Sequence, residues 1–270
     1  MRVPFIKMHG LGNDFVVLDA RTEAIPPIGT AMAAALADRR TGIGCDQLIL
    51  LEPSADADFR MRIFNADGGE VEACGNASRA VALLHGEPAK VETAGGIIHV
   101  APQGNGARID MGVPRFEWEA IPLAYAMDTA AMPVGWEGLE APLAVNVGNP
   151  HAVFFVGDLE AVPIERLGPE IEADPLFPER INVNVAQVTG PSDIILRVWE
   201  RGAGLTRACG TGACATAVAA MRRGLIEGRA ATVTLPGGPL EIEWGEDGRI
   251  AMTGPAAEAF RGSFDWGDFA

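Results

Sequence analysis

The second half of this chain repeats the first. Cys74 lies in an Ala-Cys-Gly-Asn segment and Cys209 in an Ala-Cys-Gly-Thr segment, and the difference between 209 and 74 is 135, half of the 270 residues. The same offset aligns MRIFN at residues 61–65 with LRVWE at residues 196–200. A pattern that occurs twice in one chain predicts two domains of the same fold, and each domain would carry one cysteine at the same place.

The local patterns predict strands and a few helices in each half. Helices are fewer and are expected in Ala-rich stretches, at residues 31–40, 76–85, 163–171 and 212–223. Strands are expected in short runs rich in Val, Ile and Phe between Gly, Pro and Asn, at residues 15–19, 48–52, 60–64, 97–101, 152–156, 182–188, 194–199 and 232–235.

The helices that follow the two cysteines are apolar on nearly every side, so each must be enclosed by other elements. The sequence therefore predicts an α+β fold of two similar domains, each a curved, mainly antiparallel sheet wrapped around a central helix. Pro, Glu and Trp interrupt the pattern at residues 114–122. We expect one domain over residues 1–117, together with the C-terminal tail 260–270, and a second over residues 118–259.

Composition narrows the class of partner. A hydrophobic content of 48% is enough for two domains that each bury a core, and the net charge of −15 disfavours nucleic acid and anionic membranes, which need clustered Lys and Arg. The sequence shows no signal peptide and no apolar run of about 20 residues, as a membrane span requires. We therefore expect a cytoplasmic protein that binds a small molecule and keeps its cysteines as thiols.

Each repeated cysteine is predicted to lie just before a helix, among backbone N–H groups that lack intrahelical acceptors. Such a position lowers the pKa of a thiol and can bind a carboxylate. A single cysteine is more often a small buried apolar residue, but the duplicated context favours function for Cys74 and Cys209. Cys45 and Cys214 have no counterpart in the other half, and we expect them to be structural.

Two thiols that converge from the two halves suggest the inversion of a carbon that bears a hydrogen. One thiolate would remove the proton while the opposite thiol delivers another to the far face. The helix N-termini would stabilise the carbanion between these steps. We expect no metal and no cofactor, because there is no Cys-x-x-Cys pair, no lysine in a pyridoxal phosphate context and no phosphate-binding loop.

These segments resemble the diaminopimelate epimerase family, whose members are cofactor-independent amino-acid epimerases. The resemblance spans nearly the whole chain and rests on residues 7–15 (KMHGLGNDF), 42–47 (GIGCDQ), 65–68 (NADG), 73–76 (ACGN), 148–151 (GNPH), 182–184 (NVN), 200–202 (ERG) and 208–212 (ACGTG). It implies that Cys74 and Cys209 are the catalytic acid and base in the interconversion of LL- and meso-2,6-diaminopimelate. It also implies a cytoplasmic homodimer that serves lysine and peptidoglycan precursor biosynthesis.

The resemblance also assigns the other site residues. His151 and Glu200 would tune the thiols, and backbone amides at Gly75, Asn76, Gly210 and Thr211 would hold the reacting carboxylate. Side chains that would bind the rest of the substrate are Asn13, Gln47, Asn65, Asn149, Asn182, Glu200 and Arg201. Amides supply neutral donors and acceptors and Arg201 suits a carboxylate, although an isolated Asn is as often a turn or cap residue.

One position departs from the family, and three other functions stay open. The family usually has Gly after Cys-Gly-Asn, where this chain has Ala77; if the position needs a positive φ, the first loop would differ. The alternatives are a two-cysteine racemase acting on proline or hydroxyproline, a thiol redox protein, and an amino-acid binding protein without catalysis. The racemases typically have Gly-His after the first cysteine, where this chain has Gly75-Asn76.

Overall fold

The structure is a computed structural model that describes residues 1–72 and 74–269. Ala73, which belongs to the first cysteine segment, lies outside the described residues. The helices are α1 (Thr30–Ala37), α2 (Gly75–His85), α3 (Ile164–Glu172) and α4 (Gly210–Arg222), with a final 3-10 turn at Trp266–Asp268. The strands are β1 (Arg2–Gly10), β2 (Asn13–Asp19), β3 (Gln47–Glu52), β4 (Phe59–Asn65), β5 (Glu70–Val71), β6 (Ala89–Thr93), β7 (Gly96–Gln103), β8 (Gly106–Gly112), β9 (Gly135–Trp136), β10 (Leu139–Glu140), β11 (Leu143–Asn146), β12 (Pro150–Phe155), β13 (Asn182–Val188), β14 (Asp193–Glu200), β15 (Gly204–Thr206), β16 (Ala230–Leu235), β17 (Gly238–Trp244), β18 (Ile250–Pro255) and β19 (Ala257–Asp265).

The chain forms two compact units, one of residues 1–109 with 254–270 and the other of residues 110–253. The sequence placed the divisions at 117/118 and 259/260. Both units contain the same series of elements, and the small hairpin of β9 and β10 precedes the series in the second. The α+β fold with an internal duplication is therefore confirmed.

The sheet of the first unit is mainly antiparallel. Its strands follow the order β19, β1, β2, β3, β4, β6, β7 and β8, and the short β5 pairs with β4. Only the pairs β2–β3 and β4–β6 are parallel among these, because α1 and α2 connect their strands and return the chain in the same direction. The C-terminal strand β19 pairs with β1, which joins the tail to the N-terminal half.

The second unit repeats this arrangement in the order β11, β12, β13, β14, β16, β17 and β18, with β15 paired to β14. Here α3 connects the parallel pair β12–β13, and α4 lies between the parallel strands β14 and β16. The antiparallel pairs β1–β2 and β11–β12 are hairpins whose turns contain Gly12 and Gly148, with φ of 88° and 106°. Glycine adopts these angles without steric cost, so the asparagine that follows each one is held at the start of the returning strand.

The helix after each cysteine is the centre of its unit. Helix α2 packs against β1, β7 and β19, and α4 packs against β11, β12, β13, β14, β16 and β17. In α4 every residue from Gly212 to Ala220 is buried, and most are Ala or Gly. Small side chains on all sides let the sheet approach the helix closely, as the apolar pattern predicted.

The four predicted helices are present, but the end of the first was placed too late. Helix α1 ends at Ala37 instead of residue 40. The Asp38 carboxylate accepts hydrogen bonds from the amides of Arg40 and Thr41 and from the Thr41 hydroxyl, and this local turn competes with another helical turn. Across the described part of the chain, no helix is long and apolar enough to cross a membrane.

Candidate active site

Both repeated cysteines are the N-cap residues of central helices. Cys74 Sγ accepts a hydrogen bond from the amide of Ala77 at 3.4 Å, and Cys209 Sγ accepts one from Gly212 at 3.3 Å. Both cysteines have extended backbones, with φ of −148° and −126°. A sulfur atom thus occupies the place where Ser or Asp usually accepts an N–H, and it lies at the positive end of the helix dipole.

In the first unit, the Cys74 thiol lies beside Asn13, whose side chain is hydrogen-bonded to Asn76. Asn13 Oδ1 lies 3.8 Å from Cys74 Sγ and accepts a hydrogen bond from Asn76 Nδ2 at 3.1 Å. Asn76 Oδ1 in turn accepts from Arg79 Nη2 at 2.8 Å, and the Arg79 side chain is fully buried. These contacts fix the orientation of both carboxamides, so Asn13 presents its oxygen to the thiol.

The amide nitrogen of Asn13 is held by a cluster of charges. Asn13 Nδ2 donates to Asp46 Oδ2 at 3.0 Å, and Arg39 bridges Asp46 and Asp14 at 2.8 and 2.5 Å. Burial raises the pKa of the Asp14 carboxyl, but hydrogen bonds from Arg39 and Lys7 outweigh burial and hold this pKa below its ordinary value. The Asp14 carboxylate therefore stays charged at neutral pH, and the cluster supports Asn13 through its amide nitrogen.

Gln47 and Asn65 form a second pair in the first unit. They are opposite one another on β3 and β4, and Gln47 Nε2 donates to Asn65 Oδ1 at 3.0 Å. Gln47 Oε1 is buried and, among the described residues, has no hydrogen-bond partner. A buried acceptor without a donor costs free energy, so this oxygen suits a ligand that carries N–H groups.

In the second unit the Cys209 thiol lies beside a carboxyl group and a hydroxyl group. Thr211 Oγ1 is 3.5 Å from Cys209 Sγ, and Glu200 shares a hydrogen bond with the thiol. Thr206 Oγ1 donates to Glu200 Oε1 at 2.5 Å, which orients the carboxylate. Burial raises the pKa of Glu200. The pKa of Cys209 is raised well above its ordinary value, mainly by burial and secondly by the charge of Glu200. The sequence suggested that the helix N-terminus would lower this pKa, but these two effects are larger.

The imidazole of His151 is completely buried between two carboxamides. Its Nε2 lies 2.8 Å from Asn149 Oδ1, and its Nδ1 lies 3.2 Å from Asn184 Oδ1. Burial lowers the pKa of His151 to about 4, the bond to Asn184 opposes this shift, and the positive charge of Arg201 adds to it. His151 is thus neutral at pH 7. Asn184 also donates from Nδ2 to the Gly212 carbonyl in the first turn of α4, at 3.1 Å.

Asn182 and Arg201 lie at neighbouring strand ends of the second unit. Asn182 is buried and donates to the Pro150 carbonyl at 2.8 Å, while its oxygen accepts the Arg201 amide at 3.0 Å. The Arg201 side chain is exposed, and its Nη1 donates to the Glu179 carbonyl at 3.0 Å. The guanidinium is therefore held at a turn where it can reach an anion in solution.

The structure assembles the predicted residues in local groups. In the first unit these are Cys74 with Asn13 and Asn76, and Gln47 with Asn65; in the second they are Cys209 with Thr211 and Glu200, His151 with Asn149, and Asn182 with Arg201. Gly75 and Gly210 are the first residues of α2 and α4, so they contribute backbone amides.

The sequence reading missed the residues that support these groups: Arg79, Asp46, Asn184 and Thr206. Arg79 acts on Asn76 within α2, whereas Asp46, Asn184 and Thr206 act on partners in other elements. Asp46 and Asn184 lie in the matched segments 42–47 and 182–184, but those segments do not reveal the contacts. The expectation that a positive φ at Ala77 would alter the first loop was wrong, because Ala77 lies inside α2 and its amide donates to Cys74 Sγ. In the second unit Gly212 takes the equivalent place.

The other cysteines are buried packing residues. Cys45 and Cys214 are 1% and 0% exposed, and burial raises the pKa of Cys45 to about 11. All four cysteines are thiols. Within the described ranges, no three His, Cys, Asp or Glu side chains cluster in a way that could hold a metal ion.

Comparisons of the sequence with known proteins match one family over most or all of the chain. The family model described as diaminopimelate epimerase matches residues 5–117 and 143–258. Proteins named diaminopimelate epimerase from Erythrobacter litoralis and Rhizorhabdus wittichii are 74% and 62% identical to this chain; the first match covers 100% of both chains, and the second covers 100% of this chain and 98% of the relative.

Solved structures with low sequence identity share the fold. A hydroxyproline epimerase from Agrobacterium vitis, solved with bound trans-4-hydroxy-L-proline, has a TM-score of 0.69 at 16% identity, covering 99% of this chain and 94% of that one. A phenazine biosynthesis protein of the PhzF family from Bacillus anthracis also has a TM-score of 0.69 at 16% identity, with coverage of 98% and 99%. The fold is thus common to several activities, whereas the sequence matches are specific, and the chain belongs to the diaminopimelate epimerase family.

Proposed function

We propose that this protein interconverts LL- and meso-2,6-diaminopimelate without a cofactor. The observation that carries the proposal is the matched pair of thiols, each the N-cap of the central helix of its own unit. Family membership and identity of up to 74% along the full length of a relative support the substrate. The product is the α-carbon epimer of the substrate, so the reaction needs only the removal of one proton and the addition of another.

We propose a two-base mechanism with Cys74 and Cys209 as the acid and base. One thiolate takes the α-proton and becomes a thiol, while the opposite thiol gives its proton to the other face and becomes a thiolate. The reverse reaction exchanges the roles. The first amides of α2 and α4, from Gly75, Asn76, Gly210 and Thr211, bind the reacting carboxylate and stabilise the charge that develops as the proton leaves.

We assign the polar groups of the two units to different parts of the substrate. Asn13 binds the substrate near the Cys74 thiol, which it contacts, and Asn149, the matching asparagine of the second unit, binds it beside His151. The distant amino-acid end is held by two pairs, Gln47 with Asn65 and Asn182 with Arg201, whereas Glu200 binds the substrate beside the Cys209 thiol. The buried Gln47 Oε1 supplies an acceptor for an ammonium group, and Arg201 binds a carboxylate.

His151 and Glu200 tune the protonation state of the second thiol. The pKa of Cys209 is raised by burial and by the adjacent Glu200, which keeps a proton on this sulfur in the free enzyme. Neutral His151 carries a single N–H, which can donate to Asn184 Oδ1, and Asn184 in turn holds the Gly212 carbonyl in the first turn of α4. Cys209 therefore keeps its proton in the free enzyme and can act as the proton donor.

Family membership also implies an oligomeric state and a place in the cell. We propose a cytoplasmic homodimer that supplies meso-diaminopimelate for lysine and peptidoglycan synthesis. Sedimentation of the reduced protein should give about twice the 28.3 kDa protomer mass. A species of protomer mass at micromolar concentration would contradict the dimer and leave the chemistry unaffected.

The activity is tested with three substrates. The reduced protein is incubated separately with LL-diaminopimelate, L-proline and trans-4-hydroxy-L-proline, and the isomers are resolved by chiral derivatisation and chromatography. Formation of meso-diaminopimelate alone supports the proposal. Inversion of proline or hydroxyproline, with no change in diaminopimelate, would keep the chemistry and refute the substrate. No inversion of any of the three would refute the function.

A further inference from the structure

Helix α3 of the second unit carries a buried carboxylate that the proposed reaction does not use. Glu172 is 7% exposed, and its two oxygens accept different donors: Oε2 accepts from Trp199 Nε1 at 2.7 Å, and Oε1 accepts from the Gly202 amide at 2.9 Å. Arg180 lies 3.5 Å from Oε1 at the outer edge. A buried carboxylate with this many partners is a fixed anchor, because releasing either donor leaves a buried polar group unpaired.

The two donors lie on either side of the residues that the proposed function needs. Trp199 precedes Glu200 at the end of β14, and Gly202 follows Arg201 in the turn to β15. The turn is tight: Ala203 N donates to the Glu200 carbonyl at 3.0 Å, and Gly202 and Gly204 have φ of 77° and 80°. Glu172 therefore holds this short turn at both ends.

The packing of α3 fixes the same turn from a second direction. A Cβ atom at Gly168, one helical turn before Glu172, would lie 2.5 Å from Trp199 Cγ, so the indole rests directly on the helix backbone. The helix cannot shift along the indole without losing the hydrogen bond from Trp199 to Glu172. The position of Trp199, and of the turn that follows it, is thus set by α3.

We infer that Glu172 is a positioning residue that acts through Glu200 and Arg201, with the carboxylate setting the orientation of the turn that presents both side chains. The inference rests on the proposed function, in which Arg201 binds the distant carboxylate and Glu200 lies beside the Cys209 thiol. Loss of the carboxylate should weaken substrate binding more than it destabilises the protein.

The test compares three variants with the wild type. Glu172→Gln keeps the size of the side chain but can accept only one of the two N–H groups. Glu170→Gln changes an exposed residue of the same helix, and Ile171→Val removes one buried methylene beside Glu172 without changing a polar contact. We expect Glu172→Gln to lower kcat/KM about tenfold or more, mainly through KM, because a hydrogen bond to a charged group is lost. Both controls should stay within about twofold of the wild type.

A double-mutant cycle with Arg201→Lys separates positioning from general stability. If Glu172 acts through Arg201, Glu172→Gln should lower kcat/KM less in the Arg201→Lys background than in the wild type. Equal effects in both backgrounds, or an equal loss in Ile171→Val, would overturn the inference. Unchanged kcat/KM in Glu172→Gln would overturn it as well.

An NMR readout keeps the inference separate from the proposed function. Hydrogen exchange of the Trp199 indole N–H and of the Gly202 amide should be faster in Glu172→Gln than in Ile171→Val, with the indole assigned through Trp199→Phe. If wild type shows no turnover of diaminopimelate, the proposed function fails, and exchange alone decides whether Glu172 orders the turn. Exchange as slow as in Ile171→Val would overturn the inference.

Discussion

The buried neutral His151 should make the second unit lose stability as the pH falls. In the folded protein burial lowers its pKa to about 4, whereas the ordinary value of 6.5 applies to the unfolded chain. Because the folded value is the lower one, the unfolded chain binds the proton first, so this contribution to stability begins to fall near pH 6.5 and is lost by about pH 4. Between pH 8 and pH 5 the two values give a loss of about 2 kcal/mol from this single side chain.

Urea unfolding of the wild type and of His151→Gln, each at pH 8 and pH 5, isolates this effect. Four of the five tryptophans, at 118, 136, 199 and 244, belong to the second unit, so fluorescence follows the unit that contains His151. Other titrating groups contribute equally to both proteins and cancel in the double difference. The wild type should lose about 2 kcal/mol more than the variant on going from pH 8 to pH 5. Equal losses in the two proteins would refute the argument that His151 is held neutral by burial.

Three further predictions follow from the thiol environments. In Gly212→Ala the new methyl group would lie 3.0 Å from Val198 Cγ2 and 3.2 Å from Cys209 Sγ. We expect kcat to fall and the free energy of unfolding in urea to change by less than about 1 kcal/mol, because the helix propensity of alanine offsets the close contact with Val198. Unchanged kcat would contradict this prediction. Asp46→Ala releases the Asn13 amide and should lower kcat/KM about tenfold; wild-type kinetics would show that the charged cluster is not needed. Iodoacetamide should modify Cys209 more slowly than Cys74 at pH 8, and the rate at Cys209 should keep rising with pH, because burial and Glu200 raise the pKa of this thiol. Peptide mass spectra measure both rates, and faster labelling of Cys209 would contradict the prediction.

The internal repeat was enough to predict the architecture, because the constant spacing between similar local segments shows the duplication directly in the sequence. Cys74 and Cys209 are both found as N-caps of enclosed helices, and the apolar composition of α4 required that enclosure. Several strands were not predicted, among them β1, β17 and β19. In β19 most residues are exposed, so pairing with β1, and not a buried face, defines the strand.

Most supporting contacts could not be predicted from the sequence, because they join side chains of different elements that only the fold brings together. Glu172 looks like an ordinary helical glutamate until the fold brings Trp199 and Gly202 to it. Asn184 was visible only as part of a motif, and its contact with the His151 ring depends on the parallel pairing of β12 and β13. Local patterns therefore identified the reacting groups, and tertiary structure identified the residues that hold them.

The central claim is that two thiols act on opposite faces of one α-carbon, and isotope incorporation tests it most directly. The reduced enzyme is incubated with LL-diaminopimelate in D2O, and the reaction is stopped at low conversion. We predict one solvent deuterium in each meso product, almost none in the recovered substrate, and no epimerisation by Cys74→Ala or Cys209→Ala. Deuterium at equal levels in substrate and product, or epimerisation by either cysteine variant at the wild-type rate, would contradict it.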